Sequence, residues 1–319
     1  MPKDSQQLRE NLVACLPSLV IEEVAAESGQ RVVYFGHFED ARISPDVIEE
    51  FNDEPSNFLL GWEKWGRVVI KVVADASAEA LARLQAETSI LSEVRPANFP
   101  VLLYCNLFID NPVSDEQLPE KLYVSIEEFV ISSTLAHTME AYEWKVNAVI
   151  DLCIGIADAL SPLWLHPRRF VHRDIKPANI LIKPCGSVVI IDLGIVRETG
   201  SVGLTSNGWG NAPLTLDFAA PEQIANDKDA ISFKTDFFAI GVLMYRLLAG
   251  QHPFREKNNM NDFELAYAIE NETPKSLKEL GVANSEISEF VSWTMEKFPW
   301  KRPRTPALFI EKLTALKII

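Results

Sequence analysis

The sequence predicts an α+β protein with two lobes, a β-rich part followed by an α-helical part. Segments rich in β-branched residues dominate the first 130 residues, and helical periodicity dominates after about residue 140. The chain has 319 residues, enough for two domains of roughly 150 residues. We assign residues 1–18 to an N-terminal tail, 19–130 to the β-rich lobe and 131–319 to the helical lobe.

Five runs of apolar, mostly β-branched or aromatic residues predict the strands of the first lobe. They are Leu19–Val24, Arg31–Phe38, Arg67–Val73, Val101–Phe108 and Leu122–Val130. Ala78–Glu93 is rich in alanine, leucine and glutamate and predicts a helix. Val146–Leu165 and Lys234–Leu248 show the helical period in the second lobe. Residues 39–64 carry eight acids and two bases, and we interpret them as a solvated acidic insertion.

The composition excludes several classes of partner. The chain has 45 acidic and 30 basic residues, a formal net charge of −15, which repels nucleic acid and anionic membrane surfaces. We expect no membrane-spanning helix, because the longest apolar runs, such as Phe237–Tyr245, fall short of roughly 18 residues. The four cysteines form no CxxC pair, which predicts reduced thiols in a cytoplasmic protein. The composition gives no oligomeric state.

The segment from His172 to Asp192 carries the clearest chemical pattern. Two short apolar runs flank a Pro/Gly/Ser cluster, which predicts a β-hairpin. Asn179 and Asp192 are equally far from the middle of the turn, so antiparallel pairing would place them side by side, near Asp174. Carboxamide and carboxylate oxygens together suit a hard Mg²⁺ ion that carries nucleotide phosphates.

The same segment resembles the catalytic loop of eukaryotic-type serine/threonine protein kinases, including their bacterial members. That pattern is His-Arg-Asp, four residues and Asn, which His172–Asn179 follows. Asp192-Leu193-Gly194 resembles the metal-binding Asp-Phe-Gly, and Ala220-Pro221-Glu222 is similar to the Ala-Pro-Glu motif. Asp236–Gly241 and Arg302 resemble later family positions, so the likeness covers roughly Leu19–Leu313. It implies a bilobal protein-kinase-like fold.

The resemblance also implies an activity, the transfer of the γ-phosphate of ATP to serine or threonine hydroxyls of a protein substrate. Asp174 would accept or orient the hydroxyl proton, and Lys176 would neutralise γ-phosphate charge. Asn179 and Asp192 would hold Mg²⁺, with Mn²⁺ as an alternative ion. Autophosphorylation is expected in an uncharged loop, where phosphate could pair with Arg173 and Arg197. Its candidate hydroxyls are Thr199, Ser201, Thr205 and Ser206.

Val69-Ile70-Lys71 resembles the family strand whose lysine binds the α- and β-phosphates. Its partner would be a glutamate on the next helix. Glu87 lies three residues after Leu84 and four before Leu91, within the apolar stripe of that helix. Because a buried carboxylate needs a cation, we predict an ion pair between Lys71 and Glu87.

The chain departs from the family in the loop that covers the phosphates. Aligning Val32-Val33-Tyr34 with the end of the family motif puts Ala26, Ser28 and Arg31 where the family has three glycines, and only the additional Gly29 remains. The resemblance implies that Ala26, Ser28, Gly29 and Val33 contact the nucleotide. Arg31 could swing outward, contact phosphate or weaken nucleotide binding. This loop favours the alternative function, a pseudokinase that serves as a nucleotide-binding scaffold.

The segment after the fifth predicted strand resembles the family hinge. The resemblance implies that the Glu128 carbonyl and the Val130 amide bind adenine. Glu127 would then be the gatekeeper, an unexpected charge, and an alignment shifted by one residue remains open.

Overall fold

The computed structural model describes most of the chain: residues 4–28, 31–39, 62–75, 78–94, 97–193, 197–198, 216–255 and 260–318. The chain divides into two compact units. The small lobe comprises Met1–Glu93 and Pro100–Val130, and the large lobe comprises Val94–Phe99 and Ile131–Ile319. An antiparallel sheet region followed by a helical region confirms the predicted α+β class.

The small lobe is built on a five-stranded antiparallel sheet with the order β1-β2-β3-β5-β4. The strands are β1 (Leu19–Ser28), β2 (Arg31–Phe38), β3 (Val68–Ala74), β4 (Leu102–Asp110) and β5 (Gln117–Glu128). Each predicted strand is present. The central strand β3 is apolar except for Lys71 and almost completely buried, because both faces of the sheet are covered.

Helix α2 (Ala78–Val94) covers one face, where its Leu84 packs with Val73 and Tyr123. Helix α1 (Gln6–Cys15) packs in the hydrophobic cluster that contains Val72. Because adjacent residues of a strand point to opposite faces, α1 and α2 lie on opposite sides of the sheet.

Helix α1 corrects the expectation that residues 1–18 form a tail. It begins after Ser5, whose Oγ accepts the Leu8 amide at 3.1 Å, a typical N-cap. Leu8, Leu12 and Cys15 are buried, and their spacing places them on one helix face. The N-terminal residues therefore complete the small-lobe core.

Most of the predicted acidic insertion, residues 40–61, lies outside the described residues. Its end forms a 3₁₀ turn at Trp62–Trp65. Trp62 is buried, stacks on Trp65 at 4.5 Å between ring centroids and meets Phe38 edge-on at 5.0 Å. The end of the insertion is thus part of the core rather than a solvated excursion.

The large lobe contains seven α-helices in the described residues: α3 (Leu135–Ala141), α4 (Val146–Leu165), α5 (Pro221–Ile224), α6 (Phe233–Ala249), α7 (Asp262–Asn271), α8 (Ser285–Thr294) and α9 (Pro306–Ala315). Short strands accompany them: β6 (Ser133–Thr134), β7 (Phe170–Val171), β8 (Ile180–Ile182), β9 (Val188–Ile190) and β10 (Arg197–Glu198). The core lies around α4 and α6, where Phe237 stacks on Phe309 at 4.1 Å.

Helix α4 corrects the expectation that no apolar run is long enough to cross a membrane. Among the described residues it is the one helix with sufficient length and apolar composition. More than half of its most apolar stretch is buried inside the protein, and Ile150, Ile156 and Leu160 are fully covered. This burial is the ordinary environment of a core helix.

Candidate active site

The predicted hairpin between Asn179 and Asp192 is present, with a register one residue from the predicted one. Ile180 pairs with Ile190, and the Ile191 amide donates to the Asn179 carbonyl at 2.9 Å. The turn is centred on Cys185, because the Lys183 amide bonds to the Ser187 carbonyl. Asn179 therefore lies opposite Ile191, and Asp192 follows one position later, where a φ of +66° turns the chain.

Asp174 lies in a mostly buried polar cluster beside this hairpin. Its Oδ2 is 2.7 Å from Lys176 Nζ and accepts a 2.9 Å hydrogen bond from Asn179 Nδ2. Burial raises the pKa of Asp174, the negative charge of Asp192 adds to this effect, and Lys176 and Asn179 oppose it. A carboxylate with a raised pKa that is fixed by two neighbours is suited to accept a proton.

The donor set of the hairpin fits a divalent cation. Asn179 Nδ2 bonds to both Oδ2 and the main-chain carbonyl of Asp174, at 2.9 Å each. The amide nitrogen is therefore committed to Asp174, and Oδ1 is the ligand atom that Asn179 can offer. With the carboxylate of Asp192 it would supply oxygen donors of the kind that Mg²⁺ prefers. The described residues contain no cluster of three or more His, Cys, Asp or Glu side chains suited to a metal ion.

Asp236 of α6 fixes the main chain that leads into Asp174. Its Oδ2 accepts the indole Nε1 of Trp164 at 2.9 Å and the His172 amide at 3.0 Å, and its Oδ1 accepts the Arg173 amide at 2.8 Å. Burial raises the pKa of Asp236 to about 6, although these donors lower it. Asp236 thus holds the loop through main-chain atoms.

Arg173 needs this support because its φ is +70°, a conformation that non-glycine residues rarely adopt. Gln223 holds the other side of Arg173, with Nε2 donating to its carbonyl at 2.9 Å. Neither Trp164 nor Gln223 was predicted from the sequence as part of the site. Trp164 lies in an apolar helix, where nothing in the sequence distinguishes it from a core residue. Gln223 could have been noticed because it follows Glu222 of the Ala-Pro-Glu motif.

Glu222 and Arg302 form a buried ion pair. Two parallel hydrogen bonds of 2.7 and 2.8 Å join them, and Thr235 Oγ1 donates to Glu222 Oε1 at 2.7 Å. Arg302 also donates to the main-chain carbonyls of Glu296, Lys234 and Lys297. The charge and the N–H groups of Arg302 therefore all have partners, although its side chain is fully buried.

The small lobe contains the predicted pair, with Lys71 Nζ 3.0 Å from Glu87 Oε1. Two further charges join it. Glu127 Oε1 forms an ion pair with Lys71 Nζ at 2.6 Å. The geometry of this contact is not that of a hydrogen bond. Arg31 points inward and bonds to Glu87 Oε2 at 2.5 Å. Burial raises the pKa of Glu127, the charge of Glu87 adds to this effect, and Lys71 and Arg31 oppose it.

A family model described as a protein kinase domain matches residues 63–313. The chain belongs to the protein kinase family. The match begins after β1 and β2, the two strands that flank the region where the expected glycines are missing.

Individual kinases resemble parts of this chain. It is 29% identical over 189 residues to mitogen-activated protein kinase kinase kinase 1b of Physcomitrium patens, covering 59% of this chain and 22% of that protein. It is 30% identical over 179 residues to serine/threonine-protein kinase PknA of Corynebacterium glutamicum, covering 56% and 36%. For serine/threonine-protein kinase 16 of Mus musculus, the identity is 28% over 178 residues, covering 54% and 56%. The chain therefore spans less than two thirds of each of these relatives.

The remaining predicted nucleotide contacts of this kinase lie along the small-lobe strands. Val33 pairs with Lys71 across β2 and β3, and Ala26 is an exposed residue of β1. Ser28 is the last residue of β1, and Gly29 lies outside the described residues. Glu128 ends β5, where its amide bonds to the Val101 carbonyl at 3.0 Å. Val130 is the last residue of the small lobe.

Proposed function

We propose that this chain is a Mg·ATP-dependent protein kinase that phosphorylates serine and threonine. The observation that carries the proposal is the arrangement of Asp174, Lys176 and Asn179 on a loop that Asp236 holds by its main chain. A carboxylate and an ammonium 2.7 Å apart can orient a hydroxyl and neutralise the phosphoryl group that it attacks.

In the proposed reaction, Asp174 orients the attacking hydroxyl of the substrate protein and takes up its proton. Lys176 compensates charge on the γ-phosphate while the bond to the β-phosphate breaks. Asn179 and Asp192 would hold Mg²⁺, which would neutralise phosphate charge when bound. Lys71, oriented by Glu87, binds the α- and β-phosphates, and the Glu128 carbonyl and Val130 amide bind adenine.

The specificity for serine and threonine is supported by Lys176 and by the relatives named serine/threonine-protein kinases. Cytoplasmic location remains a proposal supported by dispersed cysteines; the four are unpaired thiols in the structure.

We also propose autophosphorylation. The candidate hydroxyls Thr199, Ser201, Thr205 and Ser206 lie outside the described residues. The register between β10 and β7 supports a phosphate site, because it pairs Arg197 with Val171, two residues before Arg173. Changing all four hydroxyl residues to alanine should abolish phosphate incorporation into this loop and lower activity. Full activity of that variant would show that phosphorylation of this loop does not control activity.

The proposed activity is tested by incubating the protein with γ-labelled ATP, Mg²⁺ and a serine- and threonine-containing substrate protein. We expect label on serine or threonine with the parent chain and none with Asp174→Ala or Asp192→Ala. Asp151→Ala is the matched control, because Asp151 has a half-exposed side chain on the surface of α4. Only Asp192→Ala should also remove the Mg²⁺ dependence of nucleotide binding.

The missing glycines of the phosphate loop favour a second candidate, a nucleotide-binding scaffold without catalysis. In that case the parent chain would bind Mg·ATP and transfer no phosphate. The same experiment therefore decides between the two functions.

A further inference from the structure

Four side chains in the small lobe form a line of alternating charge. Glu127 Oε1 lies 2.6 Å from Lys71 Nζ, Lys71 Nζ lies 3.0 Å from Glu87 Oε1, and Arg31 lies 2.5 Å from Glu87 Oε2. The side chains of Glu87, Glu127 and Lys71 are at most 9% exposed, and that of Arg31 is 15% exposed. The line thus contains two acids and two bases in direct contact.

The sheet register explains how these residues meet. Lys71 pairs with Val33 on β2 and with Ser125 on β5. Arg31 is two residues from Val33 and Glu127 is two residues from Ser125, so both share the face of Lys71. They flank Lys71 on either side, and α2 brings Glu87 onto that face.

The contact with Glu87 shows why Arg31 matters. Removing Arg31 would take away the cation that binds Glu87 Oε2 at 2.5 Å, in a site that water barely reaches. Loss of a bound cation from a buried carboxylate is strongly unfavourable, so Glu87 or Glu127 would take up a proton or leave the site. Because Glu127 lies closer to Lys71 than Glu87 does, it is a competitor that can draw the lysine from Glu87.

We propose that Arg31 is a positioning residue that keeps Glu87 on Lys71 against the competition of Glu127. On this account Arg31 and Glu127 are a compensating pair: the arginine in the place of a family glycine offsets the acid on β5. The consequence for nucleotide binding rests on the proposed role of Lys71 in holding phosphates. The charge compensation itself depends only on the contacts above.

The test is a double-mutant cycle with Arg31→Gln, Glu127→Gln and the double variant. Mg·ATP affinity and urea unfolding are measured for each. We expect Arg31→Gln to weaken Mg·ATP binding by folded protein about tenfold, and the double variant to return within about threefold of the parent. The unfolding equilibrium constants should be non-additive by about tenfold in the same direction. Glu127→Gln alone should change affinity less than about threefold, because it removes only the competitor.

Two further variants make the cycle specific. Arg67→Gln is the matched control, because Arg67 binds Glu22 and Glu23 with its side chain 36% exposed, and we expect no change in affinity. Arg31→Lys retains a cation and should keep affinity within about threefold. If Arg31→Gln does not fold, Mg·ATP affinity is measured on Arg31→Lys instead.

Additive effects in the unfolding cycle would overturn the proposal, as would unchanged affinity in Arg31→Gln. Loss of ATP affinity that the second mutation does not rescue, with adenosine binding intact, would show that Arg31 contacts phosphate directly and would also overturn it. If the parent chain binds no Mg·ATP, the proposed kinase function fails. The unfolding cycle alone then tests whether Arg31 and Glu127 compensate each other.

Discussion

Asp236 of the large lobe and the buried acids of the small lobe are stabilised in different ways. Asp236 accepts hydrogen bonds from two main-chain amides and an indole, whereas Glu222 of the same lobe binds the side chains of Arg302 and Thr235. In the small lobe, Glu87 and Glu127 are satisfied by the side chains of Lys71 and Arg31.

This difference determines what each lobe can tolerate. A carboxylate that binds main-chain amides depends on the backbone path, which single substitutions elsewhere seldom change. A buried carboxylate that binds side chains stays neutralised only if a substitution at one partner is compensated by a substitution at another. In the alignment that the resemblance implies, the small lobe departs from the family at Arg31 and at Glu127, whereas the catalytic loop keeps the family residues. The predictions below test this contrast.

The largest effect is expected for Arg302→Ala in the large lobe. It would leave Glu222 buried without its cation and remove three hydrogen bonds to main-chain carbonyls. We expect the free energy of unfolding to fall by about 3–5 kcal/mol, measured by urea denaturation. Lys312→Ala, at a half-exposed side chain, is the control and should change it by less than about 0.5 kcal/mol. A loss below about 1 kcal/mol in Arg302→Ala would contradict the assigned pair.

In the small lobe, Leu12→Ala tests whether α1 is part of the core. Leu12 is fully buried in the core on the α1 side of the sheet, so its truncation should cost about 2–5 kcal/mol of unfolding free energy. Val13→Ala is the matched control, because Val13 is 40% exposed and should cost less than about 0.5 kcal/mol. Equal, small effects of the two substitutions would mean that residues 6–15 are a dispensable tail.

A pH-dependent effect of about 3 kcal/mol is expected for Asp236. Its pKa is about 6 in the folded protein, raised from 3.8, so the folded state holds the proton more tightly than the unfolded state. The stability that Asp236 contributes is therefore present at low pH and declines as pH rises from about 4 to about 6.

The measurement is the unfolding free energy of the parent chain minus that of Asp236→Asn, followed from pH 4 to pH 7. Other carboxylates cancel in this difference, which should fall by about 3 kcal/mol and then level off. A flat difference would show that Asp236 is not desolvated, and a rising one would mean that its donors outweigh burial.

The sequence predicted most of what depends on local spacing. The helical period placed Glu87 on the buried face of α2 and so led to Lys71. The hairpin was predicted from two apolar runs, with an error of one residue because the turn is centred on Cys185. The bounds of β2 and β3 were predicted to within one residue, whereas β1 and β5 extend four and five residues farther through polar and charged positions.

What the sequence analysis missed depends on contacts between distant segments. Arg31 and Glu127 reach the Lys71–Glu87 pair only through the register of three strands. The hydrogen bonds of Asp236 reach 63 and 64 residues back along the chain. Helix α1 did have a local signal, an N-capping Ser5 before Leu8, Leu12 and Cys15. That signal was outweighed by the polar residues around it.

The central claim is that Asp174 acts on the reacting hydroxyl rather than in folding. Asp174→Asn tests it most directly, since the amide keeps the shape of the carboxylate and cannot take up the proton. We predict that phosphate transfer falls by about 10²–10⁴-fold while Mg·ATP affinity and urea stability stay close to those of the parent chain. Undiminished transfer by this variant, measured in the same assay, would contradict the account.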